Sequence, residues 1–139
     1  MNASDARQLV ELLASRSGAW NSLWTLFYTV GAAVVGVVAS GKLLARRRTA
    51  ASLLAAAGFL VFAAGNYAAL EDVRKQRQAL VEFATLKANE ERSPQIAAVA
   101  AASTPPKRSS LRLYHWSLRA FVVALLVVIP RTLPSPKDG

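Results

Sequence analysis

The chain has 139 residues and a net charge of +9, from 17 Lys and Arg against 8 Asp and Glu, and it contains no cysteine. That composition excludes disulfides, thiolate chemistry and cysteine-ligated metals. Hydrophobic residues make up 53% and mean hydropathy is +0.28, which suits a chain partly immersed in lipid with no sizeable soluble core. The basic residues crowd the ends of apolar segments, where anionic head groups lie. The charge therefore reads as a membrane signal and not as a nucleic-acid footprint.

Residues 4–17 predict a short amphipathic helix. Ser4 or Asp5 caps its start, and Leu9, Val10, Leu12 and Leu13 form an apolar face opposite Arg7, Glu11 and Arg16. Gly18 is expected to end or bend it. No charged residue then occurs before Lys42, and none lies between Arg48 and Glu71. Each run exceeds the roughly 20 residues that cross a hydrocarbon layer of ~30 Å as a helix. They predict a first span over 20–41 and a second over 50–70, joined by a short turn that keeps Lys42, Arg46, Arg47 and Arg48 in water. A cleaved leader is the alternative for the first run, because Val38-Ala39-Ser40 has the small residues of a cleavage site. Asp5 and Glu11 beside Arg7 and Arg16, and the span-length run itself, favour a retained helix.

Nothing breaks a helix after Leu70, so the second span is expected to continue as a stalk over 71–92. Glu71 and Lys75 stand at i, i+4, and Val73, Leu80 and Phe83 offer an apolar seam. Ser93-Pro94 stops the helix. A linker over 93–110 follows, with an alanine-rich piece, Gln95 to Ser103, inside it. The third apolar segment has only Ala120 to Pro130 between Arg119 and Arg131. It reaches span length, 111–131, when Arg119 snorkels toward the interface. The reading is an all-α integral membrane protein with three transmembrane helices, an N-terminal amphipathic helix and a helical extension after the second span.

Three sets of residues stand out. Thr29, Ala32, Gly36 and Ser40 draw a small-residue stripe on the first span; Ala51, Ala55, Gly58 and Gly65 draw one on the second, with Phe62 as a knob. Helices in lipid associate over small residues that let backbones approach, so both stripes are expected to be packing surfaces. Arg46, Arg47 and Arg48 can dock a lipid head group or an acidic partner, and are also an ordinary topology signal. Asn66, His115 and Arg119 are polar groups within or beside spans, and such groups need partners. Arg112, His115 and Arg119 recur at i, i+3 and i+7, which fits either interfacial anchoring beside Tyr114 and Trp116 or a proton- or anion-handling site. Glu71 or Asp72 is a further candidate to pair with Arg119.

No phosphate loop, nucleophile elbow or His-Glu-x-x-His pattern occurs, and a single histidine without cysteine does not make a zinc site. The expected role is non-enzymatic, with no catalytic residue, cofactor, metal, small-molecule substrate or nucleic acid. The expected partners are the bilayer and either a second copy or another membrane protein, so the chain acts as a homo-oligomer or as an accessory subunit. The alternative is a small holin-like pore, with Thr29, Ser40 and Asn66 lining it. Alanine and arginine usage points to a bacterial cytoplasmic membrane. The short loop of four basic residues favours the N-terminus outside and the C-terminus in the cytoplasm, although a total Lys and Arg count favours the reverse.

Overall fold

The computed structural model describes residues 3–40 and 48–132, with side chains for 7–40 and 49–129. Four helices account for nearly all of them: α1 (Ala3–Ala39), α2 (Arg48–Glu91), α3 (Pro94–Ala102) and α4 (Arg108–Thr132). No strand occurs among the described residues. Three helices, α1, α2 and α4, are long and apolar enough to cross a membrane.

The break expected at Gly18 is absent. The amphipathic segment and the first apolar run are one helix of 37 residues. Glycine inside a helix costs only about 1 kcal/mol, and the turns on either side continue the hydrogen-bond ladder through it. The third segment is a continuous helix of 25 residues, or about 37 Å at ~1.5 Å per residue, which exceeds the ~30 Å it has to cross. The second span runs into its stalk without interruption, giving α2 44 residues.

The end of α2 has a defined chemistry. Arg92 takes a left-handed conformation at φ 51°, and the Ser93 N–H donates to the Ala88 carbonyl at 3.0 Å. This is the pattern by which a helix satisfies its last carbonyls, usually with glycine in the left-handed place. Ser93 then starts the next helix: its hydroxyl accepts from the Ile96 N–H at 3.4 Å, and Pro94 occupies the first turn, where a missing N–H costs nothing.

Contacts divide the chain into two units. The first holds Met1–Trp24 and Ala68–Arg108. Its core joins Leu9 and Leu13 of α1 to Ala84 of α2 and Ala100 of α3, with Leu80, Val81, Ile96 and Val99 packed around them. The expected stalk seam is thus displaced. Leu80 serves it, but Phe83 is half exposed, and Ala84 takes the interior place because a small side chain lets α1 and α3 approach. Arg77 is buried here; its Nη2 donates to the Ser103 carbonyl at 3.0 Å and its guanidinium lies 5.9 Å from the Trp20 ring centroid.

The second unit holds Thr25–Tyr67 and Ser109–Gly139. Phe27, Val38, Ala56, Phe59, Ala63, Leu111 and Leu126 are its buried apolar residues. A methyl group on Gly31 would meet Val122 Cγ2 at 3.5 Å and Phe59 Cε2 at 3.6 Å, so this glycine marks the close approach of α1 to its neighbours. The outer faces stay apolar: Leu54 is 74% and Val61 76% exposed. In water such a surface would be costly, and hydrocarbon is the solvent that matches it.

Candidate functional site

The polar groups of the second unit gather where α4 meets α2. Leu111, His115 and Leu126 are buried on one face of α4, and that face carries the histidine inward. His115 is 0% exposed. Its Nε2 lies 3.4 Å from Asn66 Oδ1, and with the amide oxygen as acceptor the proton sits on Nε2. Rings close over the pair: the centroids of Phe27 and Tyr67 stand 4.6 Å and 5.2 Å from the imidazole. Asn66 is itself buried.

One turn further along α4, Arg119 Nη2 donates to the backbone carbonyl of Ala63. A helical carbonyl has a second lone pair, so it can accept this bond without losing its place in the ladder. The guanidinium also lies 5.4 Å from the Trp116 ring and 5.9 Å from the Tyr67 ring. Its charge is thereby shared among a dipole and two π faces. Near the other end of the same helix pair, the Ser52 hydroxyl donates to the Leu126 carbonyl. Three polar contacts therefore tie α2 to α4, and between those of Ser52 and Ala63 the rings of Phe27, Phe59 and Phe62 cluster at centroid distances of 5.6 Å to 6.4 Å.

Other candidates lie elsewhere. Arg112 is exposed and does not join His115 and Arg119. Tyr114 and Trp116 are exposed, whereas His115 between them is buried among the helices. The partners found for Arg119 lie within its own unit, and the two acids, Glu71 and Asp72, have partners within theirs. Glu71 is held by Arg74 at 3.0 Å and Arg108 at 3.1 Å, and Asp72 stands 3.8 Å from Lys75, which the sequence had set opposite Glu71. Thr29, Ala32, Gly36 and Ser40 are all exposed, and a methyl group on Gly36 would meet nothing within 4 Å. Within this chain α1 packs instead through Phe27, Gly31 and Val38, because Phe27 brings far more contact area than a row of small residues. Thr29, Ser40 and Asn66 share no common lining: the first two are exposed, and Ser40 donates to its own helix at Val37.

Ala51, Ala55 and Gly58 line an apolar groove of about 420 Å³ between α2 and α1, opposite Val30, Ala33 and Val37. Gly65 is exposed with open space around it. Arg46 and Arg47 lie outside the described residues, and of Arg48 only the backbone, at the start of α2, is described. Ser52 and Arg77 carry interhelical bonds that pattern reading does not single out. Comparison of the chain with protein-family models, with curated proteins and with solved structures finds no match. The fold and the site define an all-helical protein with three helices able to cross a membrane and a buried polar tie between two of them.

Proposed function

We propose that this chain is a non-enzymatic, multi-pass integral membrane protein that acts by helix–helix association, as a homo-oligomer or as an accessory subunit of a membrane complex. The groove between α1 and α2 supports this reading best. It is apolar, and its α2 side includes Ala51, Ala55 and Gly58, residues small enough for another helix backbone to approach closely. The polar residues are engaged in holding the chain's own helices: His115 on Asn66, Arg119 on the Ala63 carbonyl, Ser52 on the Leu126 carbonyl. The proposed setting is a bacterial cytoplasmic membrane, with the N-terminus outside and the C-terminus in the cytoplasm.

Crosslinking and native mass spectrometry of the gently extracted protein test the association. The expected result is a defined assembly, either with itself or with one co-purifying membrane protein, and Gly58→Leu is expected to abolish it. A methyl group at Gly58 meets nothing within 4 Å, so the substitution fills the groove without displacing a neighbour on this chain. A clean monomer for the natural chain overturns the reading. Single-cysteine labelling in intact cells, at Glu90→Cys against Lys137→Cys, tests the orientation; labelling of the first alone is expected.

A further inference from the structure

A cationic pocket forms where α2 leaves its uncharged run and α4 begins. Arg74 and Gln78 of α2 face Thr104, Pro105, Pro106, Lys107 and Arg108 across a cavity of about 430 Å³, with Val81 and Glu82 completing its wall. Glu71 organises the cations from behind. Its side chain is 8% exposed, its Oε2 accepts from Arg74 Nε at 3.0 Å, and its Oε1 accepts from Arg74 Nη2 at 3.0 Å and from Arg108 Nε at 3.1 Å. One carboxylate thus orients two guanidiniums and leaves positive charge in excess. The Arg108 side chain meets Glu71 through Nε and is 71% exposed, and Lys107 makes no ion pair among the described residues.

The pocket is built and not merely a charged surface. Arg77 donates to the Ser103 carbonyl at 3.0 Å and the Thr104 hydroxyl donates to the Ala100 carbonyl at 3.3 Å, which pins the segment that carries Lys107. Two consecutive prolines stiffen the same segment. Arg74 Nη1 is set by Gln78 Oε1 at 3.1 Å, and Gln78 Nε2 in turn donates to Glu82 Oε1 at 3.0 Å; Glu82 keeps its charge, so three cations stand against the two carboxylates of Glu71 and Glu82. The position in the chain matters as well. Glu71 is the first charge after the run that begins at Thr49, and Arg108 is the first residue of α4. Cations at the ends of apolar helices stand at head-group depth.

We infer that Lys107 and Arg108, braced by the Arg74–Glu71 pair behind them, form a binding site for a phosphate group, the phosphodiester of an anionic phospholipid head group or a free phosphate. Guanidinium forks match the geminal oxygens of a phosphate, and an ammonium adds a point charge beside them. This site is independent of the groove and of the association it supports.

The experiment is native mass spectrometry of the full-length protein in detergent, titrated with phosphatidylglycerol and with phosphatidylcholine, and repeated with inorganic phosphate as competitor. The expected result is selective retention of phosphatidylglycerol, weakened about fivefold for each cation removed in Lys107→Gln and Arg108→Gln. Loss of retention on adding millimolar inorganic phosphate assigns the site to free phosphate; persistence assigns it to the lipid, and either supports a phosphate site. Arg108→Lys keeps the charge and is expected to retain most of the selectivity, which separates loss of binding from loss of fold. Equal retention of the two lipids with no effect of phosphate overturns the inference. So does selectivity that vanishes in an Arg46→Gln, Arg47→Gln, Arg48→Gln variant but survives Lys107→Gln with Arg108→Gln.

Discussion

His115 and Asn66 form a buried polar pair between α4 and α2. Replacing His115 by Leu removes one buried hydrogen bond of Asn66, and losing a buried partner costs about 1–3 kcal/mol. Interhelical hydrogen bonds within membranes couple more weakly, ~0.6 kcal/mol on average, because the separated helices find other partners. A double-mutant cycle with His115→Leu and Asn66→Leu, read by denaturant unfolding in detergent, is therefore expected to give a coupling of about 1 kcal/mol, with the double variant less destabilised than the sum of the singles. Purely additive losses would reduce the contact to coincidence. Both residues were legible as polar groups in apolar surroundings. Ser52 and Arg77 were not: a serine in an alanine-rich run and an arginine in a charged stalk look ordinary. Their roles come from the carbonyls of Leu126 and Ser103, which the chain brings back from 74 and 26 residues away.

The helices carry two predictions about backbone conformation. Arg92 stands in the left-handed conformation that ends α2, and a side chain there costs about 1–2 kcal/mol relative to glycine. Arg92→Gly is expected to raise stability by about 1 kcal/mol, visible as a higher denaturant midpoint. Gly18 is helical and exposed, with no neighbour within 4 Å of an added methyl group. Gly18→Ala is expected to stabilise by a similar amount, about 0.5–1 kcal/mol, and Gly18→Pro to cost about 3 kcal/mol by removing a ladder bond. If α1 were really two helices hinged at residue 18, the alanine would give no gain and the proline would be tolerated. Helix identity was readable throughout, from the uncharged runs and the Ser93-Pro94 stop. The continuity of α1 was not, because glycine is weak punctuation and the surrounding turns outvote it.

At the scale of the molecule, the absence of native cysteine makes solvent mapping direct. Leu54→Cys and Val61→Cys are expected to resist a membrane-impermeant maleimide in vesicles, while Glu82→Cys and Glu90→Cys react readily, although all four positions are exposed on the bare protein. Equal labelling of the four would remove the membrane from the picture. Sequence alone determined the class: all-helical, three helices long and apolar enough to span, basic residues at their ends. Those features are properties of each segment by itself, set by length, hydropathy and charge. Only the tertiary structure decided which face of each helix turns inward. Small-residue spacing recurs all along an alanine-rich chain and cannot rank one face above another, whereas Phe27, Phe59 and Leu126 bury large surfaces at once. Their packing put the stripe of Thr29, Ala32, Gly36 and Ser40 on the outside and carried His115 to the interior; in the other unit, the return of the chain brought Arg108 to Glu71. Such pairings depend on which distant segments meet, and that is settled by the sum of contacts over the whole fold and not by any local pattern.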